Sequence, residues 1–298
     1  MSRTALYTTV YPGMEPYFAD WARSVAGQTD SDFDLWIGVD GLSADAVNYA
    51  SRQHLAAEFL FAEPGDTPAM IRSRAIDNML PRYDAIIFVD SDDILAPTRV
   101  EAAKQYLLHY DVAGTAMQLI DRHGAALDIM FSPRISDYAS ILFRWNLFGL
   151  SNTAYRTDTP GICLPIPADC VAVDWLLAAR ASLLGARLGF DLTARMYYRQ
   201  HGNNTARLLP PFTPGQILDA ARIVLQHQRN LIGMKCVMDN SMRESLENAQ
   251  SSVNKFYQCI SAEPGMLDKY VTALNRLPVK TLWWACVAHP DLEYIWNR

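Results

Sequence analysis

Long hydrophobic runs are missing from this 298-residue chain. No stretch approaches the ~18–20 apolar residues needed to cross a bilayer, which argues against a membrane span. Cysteine is scarce and shows no pairing pattern. Cys163, Cys170, Cys236, Cys259 and Cys286 make an odd total with no CxxC spacing. A disulfide framework and a zinc site are therefore disfavoured, and a reducing cytoplasm is the expected compartment. A basic excess is absent as well: 26 Lys and Arg stand against 32 Asp and Glu, net −6. Contact with a phosphate backbone needs a basic surface, so nucleic acid is not an expected partner. The opening run of residues 4–10, closed by Pro12, is too short and too polar for the apolar region of a signal peptide. Internal repeats and low-complexity tracts are lacking.

What is present is core-forming material. Half the residues are hydrophobic and 19% are charged, so a packed interior is expected. At roughly 150 residues per domain, the length fits two domains or one large α/β unit with an extension. The charge is uneven: residues 1–204 carry 16 basic against 24 acidic side chains, while 205–298 carry 10 against 8. Strand-like runs at residues 5–10, 33–39, 58–62 and 85–89 alternate with helical patterns at 15–27, 43–54 and 67–80. The first of these helices should bury Phe18, Trp21, Ala22 and Val25. The 85–89 run is apolar on both faces, as in a parallel strand covered by helices. Such alternation predicts an α/β fold with a mostly parallel central sheet, whose ligands bind where strand C-termini open into loops. Asp40 and Asp90 occupy two such ends. Beyond residue 97 a helix to about 109, strands at 112–120 and 127–131, a helix at 171–184 and a strand at 187–198 are expected. Leu209-Pro210-Pro211-Phe212 is the best boundary, dividing a catalytic domain (1–211) from a helical extension (212–298). Ile217, Leu218, Ala221, Val224, Leu225 and Ile232 mark one helical face of that extension.

Asp90-Ser91-Asp92-Asp93 follows the fourth strand directly. Three carboxylates in four residues repel one another unless something cationic sits between them. A hard divalent cation with oxygen ligands, Mn²⁺ or Mg²⁺, is the simplest remedy. The plain alternative is a helix cap and a solvated turn.

With its preceding strand, this segment resembles the end-of-strand DxD motif of the family 2 glycosyltransferases, inverting enzymes of the GT-A nucleotide-binding fold. Ile71-Arg72-Ser73-Arg74-Ala75-Ile76 is similar to the family's Ala-Arg-Asn-x-Gly helix, with Ser73 and Ala75 departing from it. Gln28-Thr29 and Val39-Asp40-Gly41-Leu42-Ser43 look like its second strand and Asp-Gly-Ser turn. The resemblance covers roughly residues 4–205 and rests on the order and spacing of the pieces. It implies that Asp40 bonds the nucleotide base, with Arg72 against the base or diphosphate. Asp90, with Ser91 beside it, would support the ribose or metal, and Asp92 would ligate the metal bridging the diphosphate of a nucleotide-sugar donor, a UDP-sugar being favoured. A cation there stabilises the charge that develops as the nucleoside diphosphate leaves.

Asp174-Trp175 opens an apolar helix. Taken alone, Asp174 is an N-terminal helix acid favoured by the macrodipole. The resemblance aligns it with the Glu-Asp-Trp general base, which takes the acceptor hydroxyl's proton. Val173 replaces the usual Glu. Tyr198-Arg199-Gln200-His201 with Asn203 and Asn204 resembles the family's closing Tyr-Arg-x-His-x-x-Asn, implying a donor contact for Arg199 and a metal contact for His201. Residues 149–156 resemble the strand lining its acceptor pocket. Trp145 and Trp175 flank that region, where aromatic faces stack on sugars, although tryptophan is more often core.

The expected activity is metal-dependent inverting transfer of a sugar to a hydroxyl of a glycan or lipid-linked acceptor. A catalytically silent scaffold of the same fold is the alternative. A nucleotidyltransferase lacks support because the 8–15 loop is neither Gly-rich nor basic, and a DxDx(T/V) phosphatase because Ile94 fills the fifth position. The apolar run Leu282-Trp283-Trp284-Ala285-Cys286-Val287 must be covered by the catalytic domain, by a second copy in a homodimer, or by a peripheral contact with the inner face of a membrane.

Overall fold

The computed structural model describes residues 3–41, 55–135, 137–162, 165–202, 204–234, 240–279 and 281–297. The helix expected at 43–54 lies outside the described residues, as do Leu42 and Ser43 of the Asp-Gly-Ser turn. Two compact units divide the chain. One holds residues up to 134 and 148–201, and the other holds 135–147 and 202–298.

The first unit is α/β. Its strands are β1 (Thr4–Val10), β2 (Asp34–Val39), β3 (Ala57–Phe61), β4 (Ala85–Phe88), β5 (Ile94–Leu95), β6 (Val112–Ile120), β7 (Ala126–Phe131), β8 (Thr153–Arg156) and β9 (Leu188–Arg199). They form one sheet in the order β3-β2-β1-β4-β8-β6-β9-β5, with β7 beside β6. The β3-β2-β1-β4 half is parallel throughout. β8 runs antiparallel between β4 and β6, and β9 returns parallel to β6. The strand order turns back at β1 and β4, and the crevice outside carboxyl ends at such a reversal is where open α/β sheets bind ligands.

Sequence patterns account for most of these elements. β1 is buried at all seven positions and β4 at all four, as expected for strands covered on both faces. Helix α1 (Glu15–Ala26) buries Phe18, Trp21, Ala22 and Val25, the predicted stripe. Helix α2 (Pro68–Met79) starts at Thr67, whose hydroxyl accepts the Met70 N–H, with Pro68 fitting the first turn. Helix α3 (Arg99–Leu107) follows Pro97, and helix α5 (Val173–Leu183), after the short α4 (Tyr138–Ile141) of the second unit, buries Trp175 completely. Trp175 is therefore core. Gly38 on β2 leaves room for Tyr7, since a Cβ there would stand 2.6 Å from the phenol oxygen.

The second unit is helical: α4, α6 (Pro214–Ile232), α7 (Asn240–Ala262), α8 (Met266–Leu274) and α9 (Glu293–Trp296). A capping box of Thr213 and Gln216 starts α6. Its buried face runs through Ile217, Ala220, Ala221, Val224, Leu225, His227, Gln228 and Leu231, while Leu218 and Ile232 are half-buried. Phe256 of α7 meets Tyr270 at 4.7 Å and Trp296 at 5.7 Å between ring centroids. The apolar run after residue 281 is irregular backbone, not helix. Leu282, Trp283, Trp284, Ala285 and Val287 are all buried within the single chain, and Trp283 exchanges backbone hydrogen bonds with Asn146. Covering them therefore needs neither a second copy nor a lipid surface. Among the described residues no helix is long and apolar enough to cross a membrane.

Candidate functional site

The acidic segment begins where β4 runs out. Val89 is still buried, and the chain then turns, with Asp93 N–H donating to the Asp90 carbonyl at 3.3 Å. It leads at once into β5, which pairs with Met196 and Tyr197 of β9. Ser91 is fully buried, and its hydroxyl donates to the Thr9 carbonyl at 2.9 Å. That bond ties the turn to β1. One carboxylate oxygen from each of Asp90, Asp92 and Asp93 lies within 4.8 Å of the others.

Ser151, in the single 3-10 turn before β8, knits two of the acids together. Its oxygen accepts the Asp90 N–H at 3.0 Å, lies 3.2 Å from Asp90 Oδ2 and contacts Asp93 Oδ2 closely. The other Asp93 oxygen accepts the Arg199 N–H at 2.7 Å. Both Asp93 oxygens are thus committed inside the protein. Asp92 instead meets His201, with Nε2 at 2.8 Å from Oδ2.

Burial dominates the electrostatics. It pushes the Asp90 carboxyl up to about 7, helped by the charges of Asp92 and Asp174 and opposed by Arg72 and the Ser151 hydrogen bond. Asp93 is held well above the usual carboxylate range, first by burial and then by Asp92 and Asp90. Carboxyls crowded at a strand end either keep a proton or take a counter-charge, and the oxygens of Asp90 and Asp92 are the hard donor type that would suit Mn²⁺ or Mg²⁺.

The remaining candidates fall into two groups. The charges of Arg72 on α2 and Asp174 on α5 are both felt by Asp90. Asp174 is the second residue of α5. The cap position is Ala172, and no side chain caps this end, so Asp174 is not the cap. Arg72 Nε is buried without a hydrogen-bond partner among the described residues. Asp40 stands apart, half-buried at the end of β2 two strands from β4, its N–H bonded to Val10 O at 2.9 Å. Gly41 follows with φ +66°, a turn geometry that favours glycine.

Arg199 is the largest surprise. Its side chain is 1% exposed, and its guanidinium donates to Asp92 O at 2.7 Å, Arg122 O at 3.2 Å and Asp20 Oδ2 at 3.1 Å. It braces the acidic turn from behind. Sequence reasoning also passed over Tyr11, Tyr17 and Asp20, and placed Ser151 only within the 149–156 acceptor-pocket stretch, not at the acidic turn. Tyr11 sits just past β1, and burial followed by the charges of Asp92 and Asp90 raises its hydroxyl far above the ordinary range. Its place at a strand C-terminus was a usable signal. Ser151 offered none, because its partners lie about sixty residues away.

No protein-family model matches the chain, and no curated protein matches it. Solved structures do. Residues 1–349 of S. aureus TarS in complex with UDP-GlcNAc superpose with a TM-score of 0.64 at 16% identity, covering 91% of this chain and 79% of that one. The mannosyltransferase PcManGT from Pyrobaculum calidifontis, in complex with GDP-Man and Mn²⁺, gives 0.57 at 12% identity over 94% and 77%. At such identities the likeness speaks for the fold. This chain has the GT-A-like fold of glycosyltransferases that bind nucleotide sugars.

Proposed function

We propose that this protein is a metal-dependent, inverting glycosyltransferase, moving a sugar from a nucleotide-sugar donor to a hydroxyl of a glycan or lipid-linked glycan. The observation that carries this reading is the Asp90–Asp92–Asp93 cluster at the β4 terminus, half-buried at Asp90 and buried at the other two, with Asp174 in electrostatic reach of Asp90. Asp92 and Asp90 would hold a divalent cation, with His201 beside them, and that cation would supply counter-charge to the donor's diphosphate. Arg72 adds a fixed positive charge at the same place, and Asp40 is assigned to the nucleotide base. Asp174 takes the acceptor hydroxyl's proton as that oxygen bonds to the anomeric carbon and the bond to the diphosphate breaks. A single displacement inverts the anomeric configuration. Ser91 and Arg199, occupied within the protein, act by shaping the acidic turn.

A UDP-sugar is the favoured donor, supported by the TarS complex, with a GDP-sugar next. The reaction is assigned to polysaccharide assembly in the cytoplasm, at the inner face of the membrane, with residues 1–211 catalytic and 212–298 an extension. The test is a thermal-shift screen of nucleoside diphosphates and nucleotide sugars with and without Mn²⁺. Ligand at about 100 times its Kd stabilises by about 2.7 kcal/mol. The base and sugar giving the largest Mn²⁺-dependent shift name the donor, and product NMR reads the anomeric configuration. No shift with any nucleotide, or a retained configuration, overturns the proposal.

A further inference from the structure

Two residues of α1 hold the His201–Asp92 contact without touching the acids themselves. Tyr17 stacks on the His201 ring, 5.0 Å between centroids and 24° between planes. The Arg199 guanidinium carbon lies 4.8 Å from the centroid of the same Tyr17 ring. One helical turn on, Asp20 Oδ2 accepts from Arg199 Nη2 at 3.1 Å. Arg199 in turn donates to the Asp92 carbonyl at 2.7 Å, and His201 Nε2 reaches the Asp92 carboxylate at 2.8 Å. A single tyrosine ring therefore backs both side chains that grip Asp92, one at its backbone and one at its carboxylate.

Neither residue is needed to seat α1. The helix is anchored by Phe18, Trp21, Ala22 and Val25, while Tyr17 and Asp20 are only half-buried beside that stripe. Asp20 Oδ1 pairs with Arg23 at 3.0 Å inside α1, while its Oδ2 and the Tyr17 ring reach residues 179 or more positions away in sequence. An imidazole at the end of a strand would otherwise sample several rotamers, and a partner that fixes ring orientation sharpens a metal site from outside it. We infer that Tyr17 and Asp20 form a positioning clamp that sets His201 and Asp92 for divalent-cation binding. This rests on the proposed cation-binding role of Asp92.

The test is Mn²⁺ titration of the full chain, read by loss of the free-Mn²⁺ EPR signal, with UDP and with GDP present. Tyr17→Ala should weaken Mn²⁺ binding about 10-fold, the range for residues that orient a ligand from outside a site. Transfer at saturating Mn²⁺ should change far less, splitting half-saturation from kcat. Tyr17→Phe keeps the ring and should hold Mn²⁺ affinity within about twofold, since the stack and not the hydroxyl makes the contact. Asp20→Asn keeps size, releases Arg199 and should weaken Mn²⁺ binding in the same direction, which guards against a Tyr17→Ala chain that fails to fold. In a His201→Ala background Tyr17→Ala should add little, because the two act as one unit. Fully additive losses, or a Tyr17→Phe as weak as Tyr17→Ala, overturn the clamp. So does unaltered Mn²⁺ binding in both Tyr17→Ala and Asp20→Asn while the wild type binds. A wild type that binds no Mn²⁺ fails at the cation reading itself and takes the clamp with it.

Discussion

Carboxylates gather at both ends of the nine-stranded sheet, and the protein treats them in opposite ways. At the N-terminal end of the parallel strands four of them are matched by cations. Lys104 stands 2.8 Å from Asp30, Arg156 2.6 Å from Asp158, Arg187 3.3 Å from Asp111 and Arg3 3.6 Å from Asp34. Burial works against ionisation at Asp30 and Asp111, yet hydrogen bonds from Lys104 and Arg187 hold both below the ordinary range. Arg156 does the same for Asp158. At the C-terminal end burial raises Asp90 and Asp93, and among the described residues neither has an ion pair. The first end is electrostatically complete. The second is not, and carboxyls raised by burial at a strand end are candidates for a ligand site.

The largest effect should come from removing the proposed base at the incomplete end. Asp174→Asn keeps size and polarity but cannot accept a proton, so turnover should fall ~10²–10⁴-fold with donor affinity little changed. Near-normal transfer by this variant removes Asp174 from the mechanism. Next in size is the cation. EDTA, and separately Asp92→Ala, should each abolish the nucleotide-induced thermal shift of about 2.7 kcal/mol expected at 100 times Kd. A shift that survives both detaches nucleotide binding from the acids.

A smaller effect separates the two ends by pH. Asp90, raised to about 7 by burial, holds a proton in the folded chain that the unfolded chain releases near 4. Its contribution is therefore fully favourable below the unfolded value and is lost as pH rises towards 7. In EDTA the melting temperature should fall by several degrees between pH 5 and pH 8, and Mn²⁺ at pH 8 should restore it. Asp90→Asn should flatten that fall. The lowered carboxylates Asp30, Asp111 and Asp158 act the other way, their stabilisation being lost only as pH drops below the ordinary carboxylate range. The smallest effect belongs to the complete end. Lys104→Ala, at a part-buried surface pair, should cost about 1 kcal/mol, with transfer unchanged. A large loss of activity there would show the two ends are not independent.

How much of this was legible in the sequence follows from the range of the interactions. β1, α1, α2 and β6 were readable almost to the residue, because continuous apolar runs and period-3.6 burial are written locally. The Asp90–Asp93 cluster was readable as a pattern, as was the candidacy of Asp174. Residues 135–147 joining the helical unit could not be read, since no local period marks a segment that belongs with partners beyond residue 201. Nor could the run after residue 281, whose hydrophobicity said that it must be buried but not by what. The duties of Ser91 and Arg199 were likewise hidden: a serine in a DSDD turn and an arginine beside a histidine look ready for a ligand.

The sequence by itself determined that this is an α/β chain with a parallel strand ending in three carboxylates, because hydrophobic period and strand-end position are properties of neighbouring residues. Only the tertiary structure decided which of those carboxylates remain open. Asp93 is closed off by Ser151 and the Arg199 backbone, and Asp92 is left to His201, with Tyr17 behind it. Those partners arrive from the turn before β8, the end of β9 and α1, between 58 and 184 positions apart along the chain, and only the folded chain brings them into contact.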